Sequence, residues 1–596
     1  MRNVIGLLMT ALFVFGCSNA PTSNTGGQTT RVEAPESTPV KLPVATMEPV
    51  LVCVDNQTLC QEQWSPVYVH RAVPFTGRRG VLHGALYGTA DRGLQVGNLS
   101  VPLTGKNAVA MDLRRGEIVL TVNGVVRGVL PSGSGAVKNY PDAVAYDLSD
   151  LSGPDLKTAL DALSGKTGLH VTLKGKEHLG ILARSTVKPS GLTVMDPLGD
   201  LSLLRFENLD FLRLRTAREL TGRAALGRVS SLELVSSPDS DLPLVKVMER
   251  MQPRDSSIKV VRLEGKCDTA LLRRIVKMHP RVLEIREQFG SDVATDYSQI
   301  ASIKGLRAFT LQRITADSVD LSSLQTMASL VSLTLKTRGT ITTASLGLPS
   351  GLTTLRLAGD INREIFSAAS FPSLTRLELE ARRGNLSLDR IPASESLREL
   401  RLEGVAVRTL APLKKLHSLH LTDYTGKITG WSGVGGLSLR RLGVEHNADL
   451  VQELPRAGSI HTLRLHVLGS LTLTCGLEQV DSARCINEAL SARATAVELF
   501  YKSAGSRESA VLASRSMLTY LVAGGKMGLS VLKTIHAWKS LRFLAVMTPF
   551  ALDDNARLLA VRKHLPPFSW FARVKGLPLF IENPAANRDR INAVLR

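Results

Sequence analysis

Cysteine and histidine are the residues of this chain whose types and spacing could support chemistry, either as disulfides or as metal ligands. Cys53 and Cys60 lie seven positions apart, and Cys475 and Cys485 lie ten apart. Each pair could close a short loop as a disulfide in an oxidising compartment. Cys267 has no such neighbour, and we expect it to be a buried free thiol. Neither pair has C-x₂-C spacing or a neighbouring histidine, so we expect disulfides rather than a metal site.

Five histidines gather in one region: His417, His420, His446, His461 and His466. By repeat position, His420 and His466 should lie on two strands that have a third strand between them. Such strands are about 9.6 Å apart, which is too far for the two side chains to share a metal ion at about 2.1 Å per bond. We therefore expect exposed polar histidines. No G-x-S-x-G, H-E-x-x-H or P-loop motif occurs, so we expect no enzyme activity, no metal and no cofactor.

The composition limits the class of protein. The 596 residues include 73 Lys+Arg against 53 Asp+Glu, a net charge of +20. The chain is too apolar to be disordered throughout, and it has no apolar run near twenty residues. A basic surface attracts anionic lipids, glycans or nucleic acid. Aromatic residues make up only 5% and do not interleave with basic ones, so we expect no specific nucleic-acid recognition. The basic clusters fall mostly in loops and edges: Arg71, Arg78-Arg79, Arg114-Arg115, Arg273-Arg274, Arg382-Arg383, Lys414-Lys415, Arg440-Arg441 and Arg573–Lys575.

The N-terminus carries an export signal. Arg2 precedes an apolar run of about twelve residues that ends at Gly16-Cys17, the length of a signal-peptide core. The segment Val14-Phe15-Gly16-Cys17 resembles the lipobox of bacterial lipoproteins, although Phe15 departs from the small or aliphatic residue usual at its position. The resemblance implies that residues 1–16 are removed and that Cys17 is acylated. Ser18 stands where the family has Asp for inner-membrane retention, so the resemblance implies the outer membrane.

Two regions separate this signal from the body of the chain. Residues 17–48 are rich in Ser, Thr, Pro, Gly and Asn without apolar periodicity, which predicts a flexible tether. Residues 49–142 contain short apolar runs separated by Gly, Asn and Pro, and Asn123-Gly124 predicts a tight hairpin. We expect a small β-rich domain or a cap for the repeats that follow in residues 143–596.

An L-x-x-L-x-L pattern recurs along the body. Its clearest copies begin 24, 22, 22, 23, 19, 23 and 21 residues apart, with looser copies on both sides. The pattern begins at the following positions: Leu306, Leu330, Leu352, Leu374, Leu397, Leu416, Leu439 and Ile460.

The motif and its period resemble the leucine-rich-repeat family. The resemblance implies an α/β solenoid with parallel strands on a concave face and mixed helices and loops on the convex side. The family's asparagine nine residues into the motif occurs only at Asn447; the other places hold Ile314, Arg338, Asp360, Arg382, Val405 and Tyr424. We therefore expect an irregular solenoid, with convex helices at residues 154–163 and 268–278.

The residue between the two inward leucines of each strand should lie on the concave face. These central residues alternate in charge at both ends of the series, which predicts cross-strand ion pairs. In order they are Glu233, Arg262, Glu284, Thr310, Thr334, Arg356, Glu378, Arg401, His420, Gly443 and Arg464. The family resemblance implies that partners bind on this face, and the candidate partner-binding residues are Thr310, Thr334, Arg356, Glu378, Arg401, His420 and Arg464.

The combined expectation is a lipid-anchored, non-enzymatic protein of the bacterial outer membrane that binds a protein partner through its repeat surface. The alternative is an envelope-associating structural lipoprotein whose basic edges bind anionic glycan or lipopolysaccharide.

Overall fold

The structure is a computed structural model. It describes eight strands between residues 50 and 131, most of residues 140–500, and four strands between residues 520 and 580. For most of the described residues before 140 and after 444, only the backbone is described. Within residues 140–500 the gaps are 237–243, 252–257, 288–294, 315–318, 343–345, 369–370, 383–385, 392–394, 424–432, 447–449, 454–458, 468–470, 476–477, 480–481, 493 and 495.

The described strands are numbered in chain order. Those before the repeats are β1 Val50–Cys53, β2 Val67–Arg71, β3 Leu82–Thr89, β4 Gly93–Val96, β5 Leu99–Val101, β6 Lys106–Arg114, β7 Glu117–Val122 and β8 Val125–Pro131. The next are β9 Ala145–Asp147, β10 His170–Leu173, β11 Gly191–Asp200, β12 Arg205–Thr221, β13 Ala225–Ser236, β14 Val260–Glu264, β15 Val282–Glu287, β16 Ala308–Arg313, β17 Ser332–Ile341, β18 Thr354–Ile361, β19 Arg376–Ala381, β20 Leu386–Arg390, β21 Glu399–Glu403, β22 Val405–Thr409 and β23 Ser418–Asp423. The last are β24 Arg441–His446, β25 Leu450–Glu453, β26 Thr462–Val467, β27 Leu471–Cys475, β28 Glu478–Gln479, β29 Ala496–Phe500, β30 Tyr520–Gly524, β31 Phe543–Pro549, β32 Trp570–Val574 and β33 Leu577–Phe580.

One sheet of 24 strands dominates the part of the chain that the structure describes. From β8 to β32 each strand of this sheet is parallel to the next, with β20, β22, β25, β27 and β28 left out in smaller sheets. The three apolar residues of all eight clear L-x-x-L-x-L copies are at most 2% exposed. Because every unit presents the same leucines to the same interior, the units stack in one register. The predicted α/β leucine-rich-repeat solenoid is confirmed.

The strands before the repeats extend the same sheet. β1, β6, β7 and β8 pair antiparallel in that order, and β8 then pairs parallel with β9. The β7–β8 pairing reaches Val122 and Val125, which leaves two positions for the connection, as the hairpin prediction requires. Asn123 and Gly124 themselves lie outside the described residues. β2 to β5 form a separate antiparallel sheet.

Helices and 3₁₀ turns occur in the connections between strands. The helices are α1 Gly153–Ala162, α2 Lys176–Ala183, α3 Leu244–Met251, α4 Thr269–Met278, α5 Glu364–Ala368 and α6 Ser482–Ala489. The 3₁₀ turns are Leu201–Leu203, Tyr297–Ser302, Ser322–Thr326 and Val434–Gly436. None of the described helices is both long and apolar enough to cross a membrane.

Capping explains where the two predicted helices begin. Ser152 caps α1 and accepts a hydrogen bond from the Asp155 N–H, while Pro154 occupies the first turn. Asp268 caps α4 and accepts from the Leu271 N–H at 2.7 Å. Helix α4 ends at His279, which has a left-handed backbone with φ of 46°. Both helix predictions are therefore confirmed to within one residue.

Serine hydroxyls connect neighbouring repeats at the edge where the strands begin. Ser329 Oγ donates to the Leu306 carbonyl at 2.9 Å, and Ser459 Oγ donates to the Leu439 carbonyl at 2.7 Å. Ser396 Oγ donates to the carbonyls of Pro372 and Leu374. These bonds satisfy turn carbonyls between one repeat and the next, a task that the family's asparagine performs elsewhere in the motif.

Candidate functional site

The outer face is the side of the main sheet that carries the residues between the buried leucines. Its central row runs in register from strand to strand, and the pairs predicted from Glu233 to Arg464 are confirmed. The register also extends the row beyond the predicted residues. From β9 to β29 the row is Asp147, Thr172, Thr193, Arg213, Glu233, Arg262, Glu284, Thr310, Thr334, Arg356, Glu378, Arg401, His420, Gly443, Arg464 and Glu498, and the register continues it with Val522, Ala545 and Phe571.

Charged side chains on β12 to β15 pair across the strands. Arg213 Nε lies 3.3 Å from Glu233 Oε1. Arg262 Nε donates to Glu284 Oε2 at 3.2 Å, and Arg286 contacts the other oxygen of Glu284. Burial lowers the pKa of Arg262 to about 10 although Glu284 favours its charge. This group, which we call the first ion-pair cluster, is a cross-strand charge ladder as the alternating signs predicted.

A second ion-pair cluster covers β17 to β21. Glu378 accepts from Arg376 on its own strand and lies 3.3 Å from Arg356 Nε on β18. Burial opposes ionisation of Glu378, but Arg376 and Arg356 outweigh it and hold the pKa of this carboxyl below its ordinary value. Glu380 pairs with Lys336 at 3.4 Å. These contacts fix long side chains that would otherwise sample many rotamers.

Two threonines separate the ion-pair clusters. Thr310 on β16 pairs in register with Thr334 on β17, and both are half-buried. Ala308 and Ser332 form the next pair on the same face. We call these four residues the threonine step. It is an uncharged surface of short side chains between two charged clusters.

The predicted partner-binding residues differ in how much of each residue is exposed to solvent. Arg356 and Arg401 are about two-fifths exposed, with side-chain values of 42% and 40%. Glu378 is 8% and His420 4% exposed, so the prediction of an exposed histidine is wrong for His420. Its row position, in register with Arg401 and Gly443, was right. The Arg464 side chain lies outside the described part of the chain.

The other histidines do not assemble with His420. His417 and His461 precede β23 and β26 and are half-buried at the strand-entry edge. Burial and the neighbouring Arg440 lower the pKa of His417. The side chains of His446 and His466 lie outside the described residues. Among the residues that the structure describes, no three His, Cys, Asp or Glu side chains are placed to hold a metal.

A buried polar network beneath the sheet was not predicted. Arg313 and Glu287 form an ion pair at 2.5 Å with almost no exposure, and Tyr297 donates to the same carboxylate. Cys267 is a buried free thiol, as predicted, and burial raises its pKa, with Glu287 adding to the effect. These residues lie on three successive repeats, so sequence spacing alone gave no sign of their contact.

The remaining cysteines are described only in part. Cys485 is buried on α6, and α6 packs against β27, the strand that ends at Cys475. The Cys475–Cys485 disulfide therefore stays a prediction that the packing of these elements permits. The side chain of Cys53 lies outside the described residues, as do Cys17 and Cys60.

A cavity of about 390 Å³ lies where β9 and β10 lead into α1 and α2. His178 lines it and is nearly buried, and its Nδ1 accepts the Lys174 N–H at 3.3 Å. Burial lowers the pKa of His178, which favours the neutral ring. The charged side chains around the cavity are of both signs: Lys174, Lys176, Asp150, Glu177 and Asp196. This mixture selects neither an anion nor a cation.

No protein-family model matches the chain, and no curated protein matches it either. Among solved structures, the internalin InlF of Listeria monocytogenes aligns at 12% identity over 71% of this chain and 86% of its own, with a TM-score of 0.30. TLR13, in a complex with ssRNA13, aligns at 14% identity over 77% and 85%, with a TM-score of 0.36. The leucine-rich-repeat architecture of this chain rests on its own strand register and buried leucines.

Proposed function

We propose that this chain is a membrane-tethered, non-enzymatic binding protein that recognises a protein partner through its outer face. The observation that carries the proposal is the threonine step between the two ion-pair clusters. Thr310 and Thr334 are half-buried and in register, and charged groups on both sides are already paired within the chain.

A partner that lies on the threonine step gains contact without separating ion pairs. Separating a buried pair leaves a charge uncompensated and costs several kcal/mol. Threonine methyl and hydroxyl groups instead offer apolar contact and hydrogen bonding at low side-chain entropy cost. Arg356 and Arg401, which keep about two-fifths of their surface, would form the polar rim. Glu378 would act by positioning Arg356 because it is itself buried.

Photo-crosslinking in cells tests the partner. A photoreactive amino acid is placed singly at Thr334, Arg356 and Thr462 on the outer face and at Gln325, an exposed control on a 3₁₀ turn. We expect the same protein in the adducts of the three outer-face positions and its absence from the Gln325 adducts. Adducts of glycan or lipid alone, or the same proteins from all four positions, would refute recognition by this face.

Charge insertion tests the threonine step itself. Thr310→Arg with Thr334→Arg places two long cationic side chains on the threonine step, in register with Glu284 and Arg356 respectively, and Gln325→Arg is the matched surface control. We expect at least a tenfold loss of affinity for the crosslinked protein from the double variant, about 1.4 kcal/mol. The control should bind as the unchanged chain does. Equal affinity in all three proteins would place the interface elsewhere.

The membrane tether is proposed from Cys17, which lies outside the described residues. Cells that express the chain or Cys17→Ser are fed an alkyne-tagged fatty acid and then fractionated. We expect the label and the membrane association of the chain to depend on Cys17. Undiminished labelling of the Cys17→Ser variant would rule out acylation at this residue. Loss of the label without release from the membrane would show that another feature anchors the chain.

A further inference from the structure

A second surface lies at the edge where the strands begin. The residue immediately before each main-sheet strand from β14 to β26 donates its N–H to the carbonyl of its counterpart in the repeat before, at 2.7–2.9 Å. These bonds join the residues into one continuous column across ten repeats. We call it the strand-entry column, and its members are Lys259, Arg281, Arg307, Val331, Thr353, Thr375, Arg398, His417, Arg440 and His461.

The column is basic, unlike the outer face. Seven of its ten members are Lys, Arg or His and none is acidic, whereas acids and bases alternate on the outer face. Lys259, Arg281 and Arg307 are exposed. The nearby acid Glu395, three residues before Arg398, is balanced by its ion pair with Lys415. Positive charge is therefore concentrated along this edge.

The charges within the column form two groups. Lys259, Arg281 and Arg307 occupy three consecutive strands, and the second group runs from Arg398 to His461. Between them Thr353 and Thr375 donate their hydroxyls to the carbonyl of the preceding column member, at 2.9 and 3.1 Å. The second group contains His417, whose lowered pKa favours the neutral form of its ring. The first group therefore carries the denser permanent charge.

The backbones of neighbouring members of the first group stand about one strand spacing apart, about 4.8 Å. Their exposed side chains therefore place positive charges at a regular interval along one edge. A chain of evenly spaced anions would match these charges along the column. Guanidinium groups also bind carboxylate or phosphate through two parallel hydrogen bonds.

We propose that the strand-entry column binds a linear anionic glycan that runs across the strands, with its acidic groups on Lys259, Arg281 and Arg307. An extended acidic polysaccharide repeats its charge at each sugar or pair of sugars, a spacing that one or two strands can match. A nucleic acid would gain from aromatic side chains on which bases stack, and the ten column residues include none. This inference does not depend on the proposed protein partner, because the column and the threonine step are different surfaces.

Binding of the purified full chain to polygalacturonate tests the proposal at low and physiological salt. The edge variant carries Lys259→Gln, Arg281→Gln and Arg307→Gln. The control variant carries Lys157→Gln, Arg184→Gln and Arg273→Gln, which remove the same charge from exposed residues away from the column. We expect at least a tenfold loss for the edge variant, with a shallower salt dependence, and less than a twofold change for the control.

Three results would overturn the proposal. Equal losses of affinity for polygalacturonate in the two variants would show that only the net charge of the protein attracts the glycan. Absence of binding by the unchanged chain would show that the column is not a glycan-binding site. Tighter, column-dependent binding of single-stranded DNA or of anionic lipid vesicles would assign the edge to that ligand. Circular dichroism checks that the edge variant folds; if it does not, Arg281→Gln alone is compared with Arg273→Gln. The Thr310→Arg, Thr334→Arg variant should bind polygalacturonate no more weakly than the unchanged chain, which keeps the two proposals distinguishable.

Discussion

The rings of His170 and Phe211 stack across an intervening strand, with centroids 6.3 Å apart and planes 13° from parallel. Gly191 lies between them in register on β11. A Cβ at Gly191 would come within 2.3 Å of His170 Nδ1. The absence of a side chain at Gly191 therefore lets the His170 ring reach over β11 and cover the outer face near its beginning.

Gly191→Ala should destabilise the fold by forcing the His170 ring out of its place. Overpacking of this kind costs about 1–3 kcal/mol, measured as the free energy of unfolding in urea. Gly180→Ala is the matched control, because Gly180 is helical and a Cβ there meets nothing within 4 Å. The control should gain about 0.5–1 kcal/mol from helix propensity. Equal behaviour of the two variants would contradict the packing argument.

Glu284→Gln should destabilise the first ion-pair cluster. The Arg262 guanidinium is 2% exposed and would lose its charged partner while remaining buried. Removal of one partner from a buried pair costs about 3 kcal/mol. Glu395→Gln, which breaks the exposed pair with Lys415, should leave the unfolding free energy nearly unchanged. A small effect of Glu284→Gln would mean that water or Glu233 compensates Arg262.

Cys267 should make the protein less stable at alkaline pH. Burial raises the pKa of this thiol, so the folded state keeps its proton while the unfolded state loses it above about pH 8.5. Stability is then fully present below pH 8.5 and falls above it, by about 1.4 kcal/mol per pH unit for one group. The difference in unfolding free energy between the unchanged chain and Cys267→Ala, followed from pH 7 to 10, measures this effect. Parallel pH curves would contradict it.

The serine contacts between repeats should contribute additively. Ser396→Ala removes the donor to the Pro372 and Leu374 carbonyls and should cost about 1 kcal/mol. Ser329→Ala should cost a similar amount, and because three strand spacings separate the two positions, the double variant should show the sum. Ser350→Ala, at an exposed position, is the control. A strongly non-additive double variant would indicate coupled repeats.

The two cysteine pairings are testable by peptide mapping without reduction. We expect one disulfide-linked peptide that joins Cys475 to Cys485 and a second that joins Cys53 to Cys60. Cys267 should appear as a free thiol that reacts with alkylating reagents only after denaturation, because it is buried. Cross-pairing between the two pairs, or alkylation of Cys267 in the native protein, would contradict these assignments.

The repeat architecture and the order of the outer row could be predicted from the sequence. Each L-x-x-L-x-L copy places its apolar residues in one interior by strand alternation, and a period near 22 residues brings the leucines of successive copies into register. The pairing of Glu284 with Thr310, or of Thr310 with Thr334, then follows from position in the repeat alone. The same reasoning stopped at Glu233 because the earlier units follow the motif less closely.

Only the tertiary structure decided exposure and contacts between repeats. His420 and Glu378 hold predicted positions but are buried, because exposure depends on which side chains of the same and neighbouring strands fold over a residue, as Arg376 and Arg356 do at Glu378. The His170–Phe211 stack, the Cys267–Glu287 network and the strand-entry column each join residues of different repeats, far apart in the sequence. A local motif determines which way a residue points, whereas stacking of the repeats determines its neighbours and therefore its charge and accessibility.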